Sequence, residues 1–400
     1  MISDPYGGTL VDRFIEESAL REKIASAHTI PVKLIHNDLI NLENMAVGSY
    51  SPLEGFMGED EYFSVIYARR LPNDLDWAIP ILFHVDGGIA EEDLRKAGYI
   101  TFVDGDGKAF GALEIASIFR IDRQLYCSKV FGTASEEHPG ARKINQASDL
   151  CVGGPIWLVP HKSPDYIHAH TPKELREILS RTGRKSHIAF STRNICHWGH
   201  EYLHTLALEL FDVLGIHVIT GPEYKGGIRP EMVFKTYTHL IDHYYPEGKV
   251  LLNNLRLPTL LAGPREAFLQ ATMMQNFGFT HFMVGRNHAG IGQFYSKYAS
   301  QEIFDNLTDL SIEIVPVSEQ RFCLVCNKIN TANSCRHKDA KVRHFNGRDI
   351  RRLIREKRFL DLDDLIRPDI RDLVVELWEE YVHPIDDDPD STGEDKLFFK

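Results

Sequence analysis

The segment Phe190-Ser191-Thr192-Arg193-Asn194-Ile195-Cys196-His197-Trp198-Gly199-His200-Glu201 lies between a short apolar run and an amphipathic one. The run before it, His187-Ile188-Ala189-Phe190, has the length and character of a buried strand. After it, Leu203, Leu206, Ala207 and Leu210 recur at the i, i+3, i+4, i+7 spacing of a helix face. The segment is therefore expected to turn a parallel strand into a helix. Open α/β sheets bind ligands at such carboxyl ends of strands. The first turn of a helix offers unpaired N–H groups and partial positive charge, which suit a phosphate. His197 and His200, three apart, share one face of that turn. A surface turn with two histidines is the plainest alternative, and zinc on a His pair is another. The preceding Arg193-Asn194 favours an anion, because arginine presents a planar fork to oxyanions.

Working outward, a length of 400 residues is enough for about two to three domains. The net charge of −12 argues against a broad nucleic-acid surface, which needs a basic face. No apolar run reaches the roughly 18 residues of a membrane helix, and Met1-Ile2-Ser3-Asp4-Pro5 does not begin a secretory signal. A cytoplasmic location is expected. Cys127, Cys151 and Cys196 read as scattered small hydrophobes. Cys323, Cys326, Cys335 and His337 instead have the ligand types and spacing of a closed Cys3His zinc site.

Residues 1–165 look β-rich, with apolar runs at Ile30–Ile35, Ala78–His84, Tyr99–Val103 and Ala109–Ile115. Asp104-Gly105-Asp106-Gly107 is expected to be a hairpin turn. The runs Asn41-Leu42-Glu43-Asn44 and Ser51-Pro52-Leu53-Glu54-Gly55-Phe56-Met57 read as architecture. From about 166 helices and strands alternate. Thr171-Pro172 caps a helix through Ser180. A strand Ile216–Thr220 and the Gly-rich loop 221–227 follow, then a helix Glu231–Ile241. A strand Lys249–Leu252 leads to a loop carrying Arg256, and Gly263-Pro264-Arg265-Glu266 opens another helix. A last strand, Thr280–Val284, ends in Gly285-Arg286-Asn287-His288-Ala289-Gly290. This is a Rossmann-like parallel sheet in which two Arg/His loops should converge at one edge. The basic helix 346–359, with Arg348, Arg351, Arg352 and Arg355, reads as a solvated face, and the tail from Asp386 as mobile.

Taken together, these motifs resemble the ATP sulfurylase (sulfate adenylyltransferase) family over nearly the whole chain. Ser191-Thr192-Arg193-Asn194-Ile195-Cys196-His197-Trp198-Gly199-His200 matches the family's Gln-Thr-Arg-Asn-Pro-x-His-x-x-His. Ala262 to Ala267 reads Ala-Gly-Pro-Arg-Glu-Ala unchanged, and Val284 to Gly290 matches Val-Gly-Arg-Asp-His-Ala-Gly. The resemblance implies a PUA-like β domain (1–165), a Rossmann-like nucleotidyltransferase domain (166–322) and a small C-terminal α/β domain with the zinc knuckle (323–400). It implies no fused kinase and a homodimer or higher homo-oligomer. The implied reaction is in-line attack of sulfate on the α-phosphorus of ATP, with Mg²⁺ arriving on the nucleotide. Arg193 would hold the oxyanion with the backbone near Ala289. His197 and His200 would contact the triphosphate and steady the leaving pyrophosphate, Asn194 would help bend the phosphates, and Arg286 would touch the nucleotide or the phosphates. Ser191, Thr192, Arg265, Gly285, Asn287 and His288 complete the expected substrate contacts.

The departures fall in this site. Ser191 stands for the family's Gln, Ile195 for Pro and Asn287 for Asp, and Lys225 is out of register in its loop. The shorter Ser191 is expected to withdraw a donor and open space, which would suit a larger oxyanion such as a phosphonate, sulfonate or organic acid. A catalytically silent, nucleotide-binding relative is the other alternative.

Overall fold

The structure, a computed structural model, describes residues 2–85, 88–160, 169–221, 228–258, 260–337, 341–345 and 347–381. The expected boundary at 165 and 166, Lys225 with the rest of its loop, and the tail at Asp386 lie outside the described residues.

The N-terminal strands are β1 (Thr29–Val32), β2 (Gly55–Phe56), β3 (Phe83–His84), β4 (Tyr99–Val103), β5 (Ala109–Glu114), β6 (Ser117–Arg120) and β7 (Leu150–Leu158). Their order is β1-β4-β5-β7-β2, with β3 and β6 also pairing with β7. β7 can serve two sets of partners because its middle is Gly153-Gly154. Gly154 has φ 152°, and a Cβ there would lie 2.0 Å from the Glu114 carbonyl. The Asp104–Gly107 turn joins β4 to β5 as a hairpin, with Gly107 at φ 81°. The apolar run Ala78–His84 is strand only at its last two residues. Ala78, Ile79, Ile81 and Leu82 are apolar because they fill the core, not because they pair.

The second sheet contains β8 (His187–Thr192), β9 (Val213–Thr220), β10 (Val250–Arg256), β11 (His281–Val284) and β12 (Glu313–Pro316). It is wholly parallel, in the order β10-β9-β8-β11-β12. The chain runs outward from β8 in one direction, then returns to run outward from β11 in the other. The reversal lies between β8 and β11, so their carboxyl ends flank the crevice such sheets use for ligands. Side chains of β8 alternate. Ile188 and Phe190 join a core with the helices Trp198–Leu210 and Pro230–His243, whereas Ala189 joins the core shared with the N-terminal sheet. The expected loop carrying Arg256 is instead strand. Arg256 closes β10, is buried, and pairs with buried Glu43, whose neighbour Asn44 donates to the Arg256 carbonyl at 2.9 Å. The run Asn41–Asn44 thus ties the first sheet to the second.

A third, antiparallel sheet is ordered β14-β13-β15: β13 (Arg321–Cys323), β14 (Lys328–Asn330) and β15 (Val342–His344). The helix Gly347–Arg355 buries Ile350, Leu353 and Ile354 against the second sheet's outer core. Among the described residues no helix is long and apolar enough to cross a membrane.

Candidate active site

β8 continues through Thr192, and the helix after it starts at Trp198 with His197 as its cap. The cap is unusual in being an imidazole: His197 Nδ1 accepts the His200 backbone N–H at 3.2 Å. The two rings then stack, with centroids 3.7 Å apart. A glycine between them eases the fit, because a Cβ on Gly199 would stand a tight 3.1 Å from the His197 ring and from Phe345. Tyr237, from the helix Pro230–His243, places its hydroxyl 3.2 Å from His200 Nδ1. A third ring, His204, one turn further on, lies 6.3 Å from His200.

Burial pushes the His197 pKa down to about 4 and that of His204 to about 3, and holds His200 well below its ordinary value. The three imidazoles are therefore neutral at pH 7. Because His197 uses Nδ1 as an acceptor, its proton resides on Nε2.

The rest of the turn is polar. The Arg193 side chain is 37% exposed, with Nη2 3.7 Å from buried Glu266. Thr192 Oγ1 accepts the Asn194 backbone N–H at 3.1 Å. Asn194 meets the helix Gly347–Arg355. Arg351 donates to its Oδ1, and a Cβ on Gly347 would lie 2.6 Å from the same oxygen. Arg351 was expected on a solvated face; the burial of Ile350 and Ile354 turns that side of the helix to the site instead.

The loop after β11 reaches the same edge. Asn287 and Ala289 hold left-handed φ of 51° and 55°. Gly290 leaves room for the Asn287 side chain, whose Oδ1 a Cβ there would meet at 2.1 Å. The Ala289 carbonyl accepts Gly263 N–H at 3.0 Å, which joins this loop to the start of the Pro264–Asn276 helix. Arg286 pairs with Glu319 at 3.3 Å, and Glu319 also meets His344 of β15. Gly285 follows the strand directly.

His288 and Ser191, from the two different strand ends, meet at one atom. Ser191 Oγ and His288 Nε2 each donate to Gln270 Oε1 at 2.8 Å. The space expected beside Ser191 is thus filled by Gln270, a side chain on the facing helix. Arg265 is directed elsewhere: it donates to the Ala78 carbonyl, and burial lowers its pKa to about 10. Sequence reasoning did not find Gln270, Glu266, Tyr237, Phe345 or Arg351. Only His204 had a visible signal, its place four residues after His200.

The Cys323, Cys326, Cys335 and His337 ligand atoms all lie within 4.8 Å of one another. Cys326 and Cys335 sulfurs are 3.8 Å apart, and each of the three sulfurs is 3.4 Å from His337 Nδ1. Those edges fit a tetrahedron with metal–sulfur bonds of about 2.3 Å. The four residues can hold a metal ion. The module they staple also carries Phe345, whose ring lies parallel to His197 at 5.8 Å.

Residues 168–376 match the ATP-sulfurylase family model and residues 3–161 that of a PUA-like domain. The sulfate adenylyltransferase of Ignicoccus hospitalis is 35% identical over 386 residues, covering 96% of this chain and all of that one. That of Hyperthermus butylicus is 36% identical over 377 residues, 94% of this chain and 96% of the relative. Among solved structures, a hexameric APS kinase from Thiobacillus denitrificans superposes with a TM-score of 0.71 at 19% identity. It covers 94% of this chain and 68% of that one, and shows the shared fold. The chain belongs to the ATP-sulfurylase family.

Proposed function

We propose that this chain is a sulfate adenylyltransferase, joining ATP and sulfate into adenosine 5'-phosphosulfate and pyrophosphate. The observation that carries the reading is the family membership together with the intact turn Arg193-Asn194-x-x-His197-x-x-His200 at the β8/β11 switch point. A sulfate oxygen attacks the α-phosphorus in line, and the bond to pyrophosphate breaks. No covalent enzyme intermediate is needed, so positioning and charge stabilisation must supply the rate.

Arg193 holds the sulfate, with the backbone near Ala289 opposite. Neutral His197 offers its Nε2 proton to the phosphates, and His200 does the same when Tyr237 donates to its Nδ1. Asn194, steadied by Arg351, shapes the bend of the triphosphate. Arg286, on the other strand end, reaches the nucleotide. Thr192, Gly285, Asn287 and His288 frame the site, while Arg265 contributes through the wall shared with the N-terminal sheet. Mg²⁺ accompanies ATP and offsets phosphate charge. Zinc in the Cys3His cluster has a structural role, since all four ligand positions come from protein.

The reading extends to three parts, 1–165, 166–322 and 323–400, to a cytoplasmic enzyme and to a homo-oligomer. The hexameric state named for the structural neighbour supports the last. A larger acceptor loses its motive, because Gln270 occupies the room beside Ser191. Pyrophosphate release from ATP and sulfate tests the proposal. Release on adding sulfate supports it; silence with sulfate alongside release with an organic acid contradicts it.

A further inference from the structure

The helix Pro264–Asn276 is buried along nearly its whole length, yet it carries a carboxylate and an amide one turn apart. Glu266 is 2% exposed and Gln270 1%. Buried polar groups persist when their hydrogen bonds are met, and each of these has partners. Gln270 Nε2 donates to Glu266 Oε1 at 3.2 Å, and Ala262 N–H donates to Glu266 Oε2 at 3.3 Å. Arg193 stands 3.7 Å from the same Glu266 oxygen that takes the amide.

These contacts fix which way the amide faces. Arg193 and the Ala262 N–H both face the Glu266 carboxyl, which therefore accepts even though burial raises its pKa, so the Gln270 NH2 turns toward it. Its carbonyl must then turn toward Ser191 and His288, and both of those must donate. The Ser191 hydroxyl is consequently spent inward rather than offered to a substrate. One i, i+4 pair on a rigid helix therefore touches all three side chains read here as the oxyanion end: Arg193, Ser191 and His288.

We propose that Gln270 is the positioning residue of the oxyanion pocket, clamping the ends of β8 and β11 through Ser191 and His288 while Glu266 orients Arg193. This rests on assigning sulfate to that end of the site. Gln270 is buried behind Ser191 and His288 and acts through them, so its removal should act on sulfate and spare ATP.

The test is a double-substitution cycle read as separate KM values for sulfate and ATP. Gln270→Met keeps the length of the side chain and removes the amide. It is expected to raise the sulfate KM by about tenfold or more, the usual scale for stranding buried hydrogen-bonding groups, while the ATP KM stays within about twofold. Ser191→Ala should raise the sulfate KM in the parent and add nothing to Gln270→Met, since the two act as one unit. An unchanged sulfate KM in folded Gln270→Met, equal rises for both substrates, or effects of the two substitutions that multiply would each overturn the proposal. If Gln270→Met does not fold, Gln270→Asn keeps an amide withdrawn by one methylene and should show the same split. Arg193→Ala is the control. If it too leaves the sulfate KM unchanged, the pocket assignment itself has failed; if it alone raises that KM, the fault lies with Gln270.

Discussion

Arg351 donates a hydrogen bond to Asn194, bringing the helix Gly347–Arg355 onto the strand-to-helix turn of the parallel sheet. Among the described residues Arg351 pairs with no carboxylate, so its positive charge is available to a polyanion bound beside Asn194. Arg351→Ala should reduce kcat/KM by roughly ten- to a hundredfold, the range for losing a charged hydrogen bond. Arg351→Lys should recover only part, because lysine lacks the planar fork. Steady-state kinetics with ATP varied checks this; an unchanged ATP KM and kcat in Arg351→Ala would remove the residue from the site.

His197→Ala should cost turnover by at least about a hundredfold while the protein stays folded. The ring caps its helix, stacks on His200 and lies parallel to Phe345, so a modest loss of thermal stability should accompany the change. Rates of pyrophosphate release measured beside a circular-dichroism melt separate the two effects.

Stability should fall as acid is added. Buried His197 and His204 have folded pKa values near 4 and 3, below the usual value near 6.5. A depressed histidine is neutral in the native state, so below pH 6.5 protons favour the unfolded chain. The stabilisation is complete above that pH and is lost between 6.5 and 4 for His197, and on to 3 for His204. Each contributes a slope of about 1.4 kcal/mol per pH unit across its window. Denaturant titrations at pH 7.5 and pH 5.5 would show it, and equal midpoints would contradict the neutral-histidine account.

Zinc analysis should find close to one metal ion per chain. Removing it with a chelator should lower the melting temperature and the turnover together, because the stapled sheet carries Phe345 and leads into the Arg351 helix. Metal analysis without zinc, or an unaltered melt after chelation, would count against the site.

Glu43→Gln should destabilise the protein by about 3–5 kcal/mol, the usual result of removing one charge from a buried ion pair. Arg256 would lose the Glu43 carboxylate that meets it between the two sheets. Equilibrium unfolding measures the loss; a change below ~1 kcal/mol would mean that solvent reaches the pair.

Much of this protein is legible in its sequence because the deciding signals are local. The apolar run at His187, the helical spacing from Leu203 and the Thr171-Pro172 cap each concern neighbours in the chain, and each element formed where expected. The capping box closes with Glu174, three residues on. Ala78–Leu82 misled because a buried connection and a strand share apolar character. Gln270 and Arg351 were hidden for a different reason. Gln270 meets Ser191 across 79 positions and Arg351 meets Asn194 across 157. No periodicity encodes such pairs. A serine in place of a glutamine looked like a vacancy because the amide that fills it comes from another helix.

The most direct test of the account measures pyrophosphate release from ATP on addition of sulfate, comparing the parent chain with Arg193→Ala. Inorganic pyrophosphatase must be present, since the mixed anhydride is high in energy and the forward reaction otherwise stalls. The parent is expected to release pyrophosphate in response to sulfate, and a folded Arg193→Ala to stay at background. No sulfate-dependent release by the parent, or equal rates in the two proteins, would contradict it.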